Sequence, residues 1–367
     1  LFRSGPGTQA AYLSATRGLF ALFGGSSSAL VRIWPALAGS LLIWIPYFLK
    51  KDLGRSAALV TGLGLALDPG LVALSRGVGT PLPGVVFLLL AAGLFATKNW
   101  TWASVCAGLF LLSGNGLVMG LLILGGTLFL SQILDLGEKH EGHLLSGGSR
   151  IESGNLPWVQ MALTFTGVVL VVGTYGLNDV QGLTSWLGSI PTFFRGWTEP
   201  FPVSPGRILV ALFAYQFFPL LFGVVGGIQA WRRNDRVAQM MSIWFLVGLI
   251  LILIYPARQV WDLAWVLVPL WVLASRTFAE LFRQNTPNLV SWILAGMILV
   301  LASLLWLSFT RLTVPVGSQR LALIQWGMVG GSFGLAVLSL VIVAAEWSWE
   351  EARVGGVMGF SAALLIY

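Results

Sequence analysis

The sequence predicts an all-α, polytopic transmembrane helical bundle, and two observations lead to this fold class: its composition and the length of its apolar segments. Of its 367 residues, 56% are hydrophobic and 10% are charged, and the mean hydropathy is +0.84. Soluble globular domains carry about 25% charged residues. A helix crosses a bilayer with roughly 20 mostly apolar residues, because backbone polar groups in lipid must be bonded within the segment. We therefore expect an integral membrane protein.

Eleven segments have the apolar character expected of transmembrane helices. They cover residues 29–49, 56–75, 83–97, 100–116, 117–134, 158–177, 207–230, 237–255, 262–282, 288–309 and 321–345. The third and fourth are shorter than the others. The polar stretches between them are too short to form a core of their own, so we predict one transmembrane domain over residues 1–367.

Both ends of the chain lie next to an expected further span. The chain begins at Leu1 and not at a methionine, and it ends at Tyr367 within an apolar run that starts at Val354 and is too short to cross a bilayer. If the chain alternates sides from a cytoplasmic loop at residues 50–55, residues 1–28 lie outside. We predict about 11 to 12 spans, and we expect the first span to lie before Leu1 and the last to be cut at Tyr367.

The basic residues divide unevenly between the two sides of this topology. The cytoplasmic connections hold Lys50, Lys51, Arg55, Lys98, Lys139, Arg150, Arg232, Arg233, Arg236, Arg276, Arg283 and Arg353. The external connections hold Arg3, Arg17, Arg76, Arg195, Arg207, Arg258, Arg311 and Arg320, all arginine. The excess of cations on the first side agrees with the positive-inside rule. Arginine is the planar, bidentate partner of phosphate, so the external set indicates either lipid-phosphate binding or arginines that reach lipid headgroups.

Composition excludes several other classes of function. The net charge of +7 comes from residues scattered over loops and not gathered in a stripe, so we expect anionic lipid and no nucleic acid as partner. The single cysteine, Cys106, excludes a disulfide within the chain. His140 and His143 lie in a polar, glycine-rich stretch typical of a solvated loop, so we predict no metal site. No histidine lies in a predicted span, which argues against haem, and we predict no cofactor.

Few acidic residues lie outside the predicted cytoplasmic loops: Asp68, Asp179, Glu199 and Asp262. Asp68 lies inside a predicted span, where a carboxylate is costly and indicates function. The following Pro69 and Gly70 break the helix, so Asp68 can equally cap the next segment. Asp262 follows Arg258 by four residues. Either the two pair on a helical turn, or Arg258 holds a lipid phosphate while Asp262 begins the next helix.

Several motifs resemble membrane glycosyltransferases of the GT-C type, the relatives of protein O-mannosyltransferases and of the lipid A aminoarabinose transferase. The resemblance covers residues 5–275 and rests on Leu53-Gly54-Arg55, on Asp68-Pro69 through Ser75-Arg76, on the glycine-rich turn at residues 111–116, and on Tyr255-Pro256-Ala257-Arg258. It implies a GT-C-like bundle that takes a sugar from a polyprenyl-phosphate donor on the external face of a bacterial plasma membrane. Arg76 and Arg258 match the positions that hold the donor phosphate.

The resemblance is incomplete at the acids. Residues 1–28 contain no Asp or Glu, and the segment Gly77 to Pro83 lacks the second acid of the family. One interpretation is a lipid-linked sugar transferase in which Asp68, Asp179 or Asp262 substitutes as the acid. The other is a non-catalytic accessory or scaffold subunit of a larger membrane complex, derived from the same fold. A transporter is a third possibility, but the sequence shows no pair of broken helices placed symmetrically in two halves.

Overall fold

The computed structural model describes residues 9–25, 27–134, 157–177, 181–199, 203–284, 287–311 and 319–366. These residues form helices and one short 3-10 turn, with no strand among them. They divide into two compact units, residues 1–277 and 278–367. The expectation of a single transmembrane domain stays a prediction.

The first unit begins with a chain of shorter helices. They are α1 (Ala10–Phe23), α2 (Ser28–Leu42), α3 (Ile45–Phe48), α4 (Lys50–Leu53), α5 (Arg55–Leu67), α6 (Pro69–Arg76), α7 (Leu82–Ala96), α8 (Trp100–Leu111), α9 (Asn115–Ile133) and α10 (Trp158–Gly173). Side-chain caps explain two of the starts, because Ser27 accepts from the amide of Leu30 and Asp68 from that of Leu71. Gly54, at φ +81°, makes the sharp junction between α4 and α5.

The rest of the first unit surrounds one buried helix. It contains α11 (Gln181–Arg195), α12 (Pro205–Tyr215), α13 (Phe217–Arg232), α14 (Arg236–Ile254), a 3-10 turn (Val260–Leu263) and α15 (Ala264–Gln284), and the unit boundary falls within α15. The span that includes α15 is 72% buried, and Trp265, Leu267 and Leu270 are fully buried in it. The core of the unit is therefore built around α15.

The second unit contains α16 (Leu289–Arg311), α17 (Gln319–Glu346) and α18 (Trp349–Ile366). Glycines let α18 lie close to α16: a side chain at Gly355 would meet the carbonyl oxygen of Ser291 at 2.7 Å. Leu294, Ile298 and Val343 are buried between these helices. The span within α17 is only 6% buried, as expected of a surface in contact with lipid.

The predicted segments are helical, and three of them, 29–49, 56–75 and 207–230, are each divided between two consecutive helices. Six described helices are long and apolar enough to cross a bilayer, and up to eight spans result when each of two bent helix pairs counts as one. Three further apolar helices, α7, α8 and α10, are shorter. The integral membrane, all-α class is therefore confirmed, and the count of 11 to 12 spans stays a prediction.

Candidate functional site

One end of the first unit is tied together by Arg276. Its Nη1 donates to Oδ1 of Asp235 at 2.8 Å, its Nη2 contacts Oδ2 of the same carboxylate, and Nη2 also donates to the carbonyl of Asp52 at 3.2 Å. Asp52 lies in α4 and Asp235 precedes α14, so two connections meet at the carboxyl-terminal part of α15. We call this the Arg276 end, and it unites connections that the sequence places together on one side.

The opposite end of the unit unites connections that the sequence places on the other side. Nε2 of Gln9 donates to the carbonyl of Thr80 at 3.1 Å, and the guanidinium of Arg17 lies 4.1 Å from the centre of the Tyr175 ring. A loop at residues 255–259 and the start of α12 also lie here, joined through Arg258. We call this the Arg258 end.

Arg258 is held in the loop between α14 and the 3-10 turn. Its Nη1 donates to the carbonyl of Val203 at 3.1 Å, just before α12. Its Nε is buried and has no hydrogen-bond partner among the described residues. A guanidinium has five N–H donors and cannot lose its charge. Arg258 is therefore a fixed cation with N–H groups that have no acceptor in the part of the chain that the structure describes, and one of them is buried. An anionic oxygen ligand would fit this arrangement.

Tyr255 fixes the beginning of this loop. Its ring stacks on Phe193, with centroids 4.7 Å apart and planes 8° apart, and its hydroxyl donates to the carbonyl of Phe193 at 3.0 Å. Burial, followed by the nearby charge of Asp262, raises the pKa of Tyr255 to about 12. The phenol therefore stays a neutral donor, and the loop is anchored to α11.

Asp262 caps its own helical turn and does not pair with Arg258. Its Oδ2 accepts from the amide of Gln259 at 2.8 Å, and the side chain of Gln259 completes a reciprocal capping box. Gln259 is extended, with φ −136° and ψ 155°, so Arg258 lies outside the helical turn. No ion pair joins Arg258 to Asp262 in the described part of the chain, so the helical pairing is wrong, and Asp262 begins the next helix.

Asp68 is a capping residue buried inside the unit. Its side chain is 1% exposed, and Oδ1 accepts from the amide of Leu71 at 2.8 Å at the start of α6. Oδ1 also accepts from Nε2 of Gln216 at 3.0 Å, and Oδ2 accepts from Nε1 of Trp271 at 2.7 Å. The capping interpretation is therefore the one that the structure shows.

Arg76 and Asp179 are the remaining candidates. Arg76 is exposed at the last turn of α6, roughly 12 Å along the helix from Asp68. Asp179, like His140 and His143, lies outside the described residues. Among the described residues no group of three or more His, Cys, Asp or Glu side chains could hold a metal ion. The catalytic and phosphate-binding roles of Asp68, Asp179, Asp262, Arg76 and Arg258 remain predictions.

Gln216 and Trp271 are residues that the sequence analysis missed. Gln216 marks a second broken helix, because α12 and α13 meet there at 94°, while α5 and α6 meet at Asp68 at 53°. The first break has a clear sequence signal in Pro69 and Gly70. The only signal for the second is a glutamine within an apolar segment, three residues before Pro219.

Comparison with solved structures agrees with this geometry. The crystal structure of ArnT from Cupriavidus metallidurans in the apo state matches with a TM-score of 0.54 and 20% identity, over 97% of this chain and 65% of that one. ArnT from the same organism bound to undecaprenyl phosphate matches with a TM-score of 0.52 and 17% identity, over 96% and 66%. The chain has an ArnT-like fold. The family resemblance predicted from the sequence is thus confirmed at the level of the fold.

Other comparisons add nothing to this likeness. No protein-family model matches the chain, and no curated protein matches it. The chain spans 65% and 66% of the length of the two ArnT chains. A likeness at such low identity establishes the fold and leaves activity to be argued from the site.

Proposed function

We propose that this GT-C membrane protein binds a polyprenyl-phosphate group at the Arg258 end, on the external face of a bacterial plasma membrane. The observation that carries the proposal is the guanidinium of Arg258, which is fixed to Val203 and keeps a buried Nε without an acceptor among the described residues. A phosphate oxygen would provide that acceptor. Arg76 is the second candidate, as an exposed cation at the end of α6.

The fold supports a lipid-phosphate ligand and not a soluble one. One of the two similar ArnT structures is bound to undecaprenyl phosphate. The Arg258 loop follows directly after α14, one of the helices apolar enough to cross a bilayer. The polyprenyl chain would lie in lipid while its headgroup reaches the loop.

In its enzymatic form the protein would transfer a sugar from a polyprenyl-phosphate donor. The acceptor hydroxyl attacks the anomeric carbon, its proton passes to a carboxylate, and the polyprenyl phosphate leaves with the electrons of the broken C–O bond. An arginine at the departing phosphate stabilises the charge that develops there. The chemistry needs one free acid near one fixed cation.

The described carboxylates favour the second candidate function, a non-catalytic accessory subunit that binds the lipid. Asp68 accepts three hydrogen bonds inside the unit, and Asp262 caps the 3-10 turn. Both carboxylates are therefore engaged in structure. Asp179 is the candidate acid that this argument leaves open, and a transferase would depend on it.

The binding proposal is tested with purified protein in nanodiscs titrated with undecaprenyl phosphate, and with undecaprenol as the uncharged control. We expect saturable binding of the phosphate form alone, and a loss of about tenfold or more in affinity in Arg258→Gln, since a hydrogen bond to a charged group contributes about 1.5–3 kcal/mol. Arg195→Gln, an exposed arginine at the end of α11, is the matched control. Equal losses in the two variants would show a general effect of surface charge and contradict the site.

A second measurement separates the enzyme from the accessory subunit. Release of polyprenyl phosphate from a polyprenyl-phosphate-linked sugar is followed with the wild-type protein and with Asp179→Asn. Turnover that Asp179→Asn abolishes supports the transferase. Binding without turnover supports the accessory subunit.

A further inference from the structure

The first unit contains two broken helix pairs, α5–α6 and α12–α13, and the residues at the two breaks are in contact inside the unit. Asp68 is the residue between α5 and α6, and Gln216 is the residue between α12 and α13. Nε2 of Gln216 donates to Oδ1 of Asp68 at 3.0 Å, and Nε1 of Trp271, on α15, donates to Oδ2 at 2.7 Å. We call Asp68, Gln216 and Trp271 the Asp68 cluster.

The cluster is closely packed and shielded from solvent. Asp68, Gln216 and Trp271 are 1%, 2% and 4% exposed. A side chain at Gly70 would lie 3.1 Å from Oδ1 of Asp68 and 3.2 Å from Nε2 of Gln216. Buried hydrogen bonds to a carboxylate are stronger than those at a surface, and an unmade one is costly. The three elements are therefore held in one arrangement.

The same two helices are joined a second time at the Arg258 end. Gln216 follows Val203 by 13 residues through α12, and Trp271 follows Arg258 by 13 residues through the 3-10 turn and α15. Arg258 donates to Val203 at one end of this pair of segments, and Asp68 bridges Gln216 and Trp271 at the other. A shift of α12 along α15 would break both connections.

From this geometry we infer that Asp68 is a positioning residue, which sets α12 against α15 and thereby holds the guanidinium of Arg258 in its phosphate-binding place. The inference rests on the proposed binding of a lipid phosphate at Arg258. Asp68 itself is buried, and its carboxylate accepts from Leu71, Gln216 and Trp271. It acts through Gln216 and Trp271, and through α6 it also fixes the helix that carries Arg76.

Two substitutions remove the connection with little change of shape. Asp68→Asn keeps an acceptor for the amide of Leu71, but its new N–H₂ group faces the Nε1–H of Trp271, so that two donors meet and no hydrogen bond forms between them. Trp271→Phe keeps an aromatic ring and removes the Nε1 donor. The matched control is Trp244→Phe, because Trp244 is also a buried tryptophan but its Nε1 has no hydrogen-bond partner among the described residues.

The position of the two segments is measured by electron–electron double resonance between spin labels at Val210→Cys and Val260→Cys, in a Cys106→Ser background. Val210, on α12, is 67% exposed and Val260 is 46% exposed, so labels are tolerated there. Undecaprenyl phosphate affinity is measured in the unlabelled proteins. Monodispersity on size-exclusion chromatography selects folded variants, and Trp271→Phe serves if Asp68→Asn does not fold.

We expect Asp68→Asn and Trp271→Phe each to broaden the distance distribution and to weaken undecaprenyl phosphate binding about five- to tenfold, less than in Arg258→Gln, because the guanidinium is displaced and not removed. Trp244→Phe should change neither. The double variant of Asp68→Asn and Trp271→Phe no longer places two donors against each other. Its loss of undecaprenyl phosphate affinity should therefore be smaller than the product of the two single losses.

The outcomes separate this inference from the function on which it rests. Wild-type affinity in Asp68→Asn and Trp271→Phe, together with a loss in Arg258→Gln, overturns the positioning role and leaves lipid-phosphate binding intact. If the wild-type protein binds no undecaprenyl phosphate, the proposed function fails, and the positioning of Arg258 for that ligand fails with it. In that case the distance distributions still show whether Asp68 couples the two segments.

Discussion

The two ends of the first unit each hold an arginine between helices, but the two arginines are bonded in opposite ways. Arg276 binds both oxygens of Asp235 and the carbonyl of Asp52. Arg258 binds one carbonyl, that of Val203, and keeps a buried Nε without an acceptor among the described residues. An arginine whose donors are matched by a carboxylate contributes to stability, whereas one that is fixed but incompletely matched is suited to bind an anion.

The contrast between Arg276 and Arg258 is tested most strongly by removing Arg276. Arg276→Gln leaves Asp235 without its cation at a site where the two side chains are 22% and 31% exposed, so we expect a loss of about 2–3 kcal/mol in the free energy of unfolding. Thermal unfolding in detergent measures it. Undecaprenyl phosphate affinity should be unchanged in the folded fraction.

Arg232→Gln is the control at the same end, because Arg232 is exposed. A surface substitution of this kind changes stability by about 0.5 kcal/mol or less. Arg258→Gln should likewise cost far less stability than Arg276→Gln. Equal destabilisation by Arg276→Gln and Arg258→Gln would mean that the two arginines play the same structural role.

Crowding the Arg258 loop should have a smaller effect on stability and a larger one on binding. A side chain at Gly196 would collide with the hydroxyl of Tyr255 and lie 2.8 Å from Cβ of Ala257, next to Arg258. Gly196→Ala therefore displaces the loop, at a cost of about 1–2 kcal/mol typical of overpacking, and should weaken undecaprenyl phosphate binding. Titration in nanodiscs measures the affinity.

The matched control is Gly188→Ala on α11, where a side chain would meet no atom within 4 Å. This variant should bind as the wild type does and gain slightly in helix propensity. Retained affinity in Gly196→Ala would show that the Tyr255 loop does not set the place of Arg258.

Much of the fold could be predicted because transmembrane helices are local features. A run of about 20 apolar residues in lipid forms a helix because its backbone groups must bond within the segment, and each predicted segment lies on one helix or on two consecutive helices. Alternation of sides predicts Arg276 and Arg258 on opposite faces of the membrane, and the two arginines lie at opposite ends of the first unit. Pro69 and Gly70 predicted the break at Asp68, because proline removes a backbone donor and favours the first turn of a new helix.

The site was harder to predict because its contacts join distant parts of the chain. The acceptor for Arg258 is a backbone carbonyl 55 residues away. Every residue has such a carbonyl, so no residue type in the sequence indicates this contact. The pairing of Arg258 with Asp262 failed because Gln259 is extended, so four-residue spacing does not place both on one helical face. The break at Gln216 could not be predicted, because a single glutamine within an apolar segment does not by itself end a helix.

The smallest expected effect, and the one that isolates a single contact at the Arg258 end, is that of Tyr255→Phe. The substitution keeps the stacked ring on Phe193 and removes one hydrogen bond to a carbonyl. We expect a loss of about 1 kcal/mol in the free energy of unfolding at neutral pH. Thermal unfolding of both proteins from pH 7 to pH 12 measures it.

The pH dependence gives this prediction its sign. The pKa of Tyr255 is raised to about 12 in the folded protein, against 10 for the unperturbed phenol. Its stabilising effect is therefore complete below pH 10 and is lost as the pH rises from 10 through 12, because only the unfolded chain releases the proton in that range. The wild-type protein should lose stability faster than Tyr255→Phe above pH 10. Parallel curves would mean that the phenol is not buried against Phe193, and the anchor of the Arg258 loop would have to lie elsewhere.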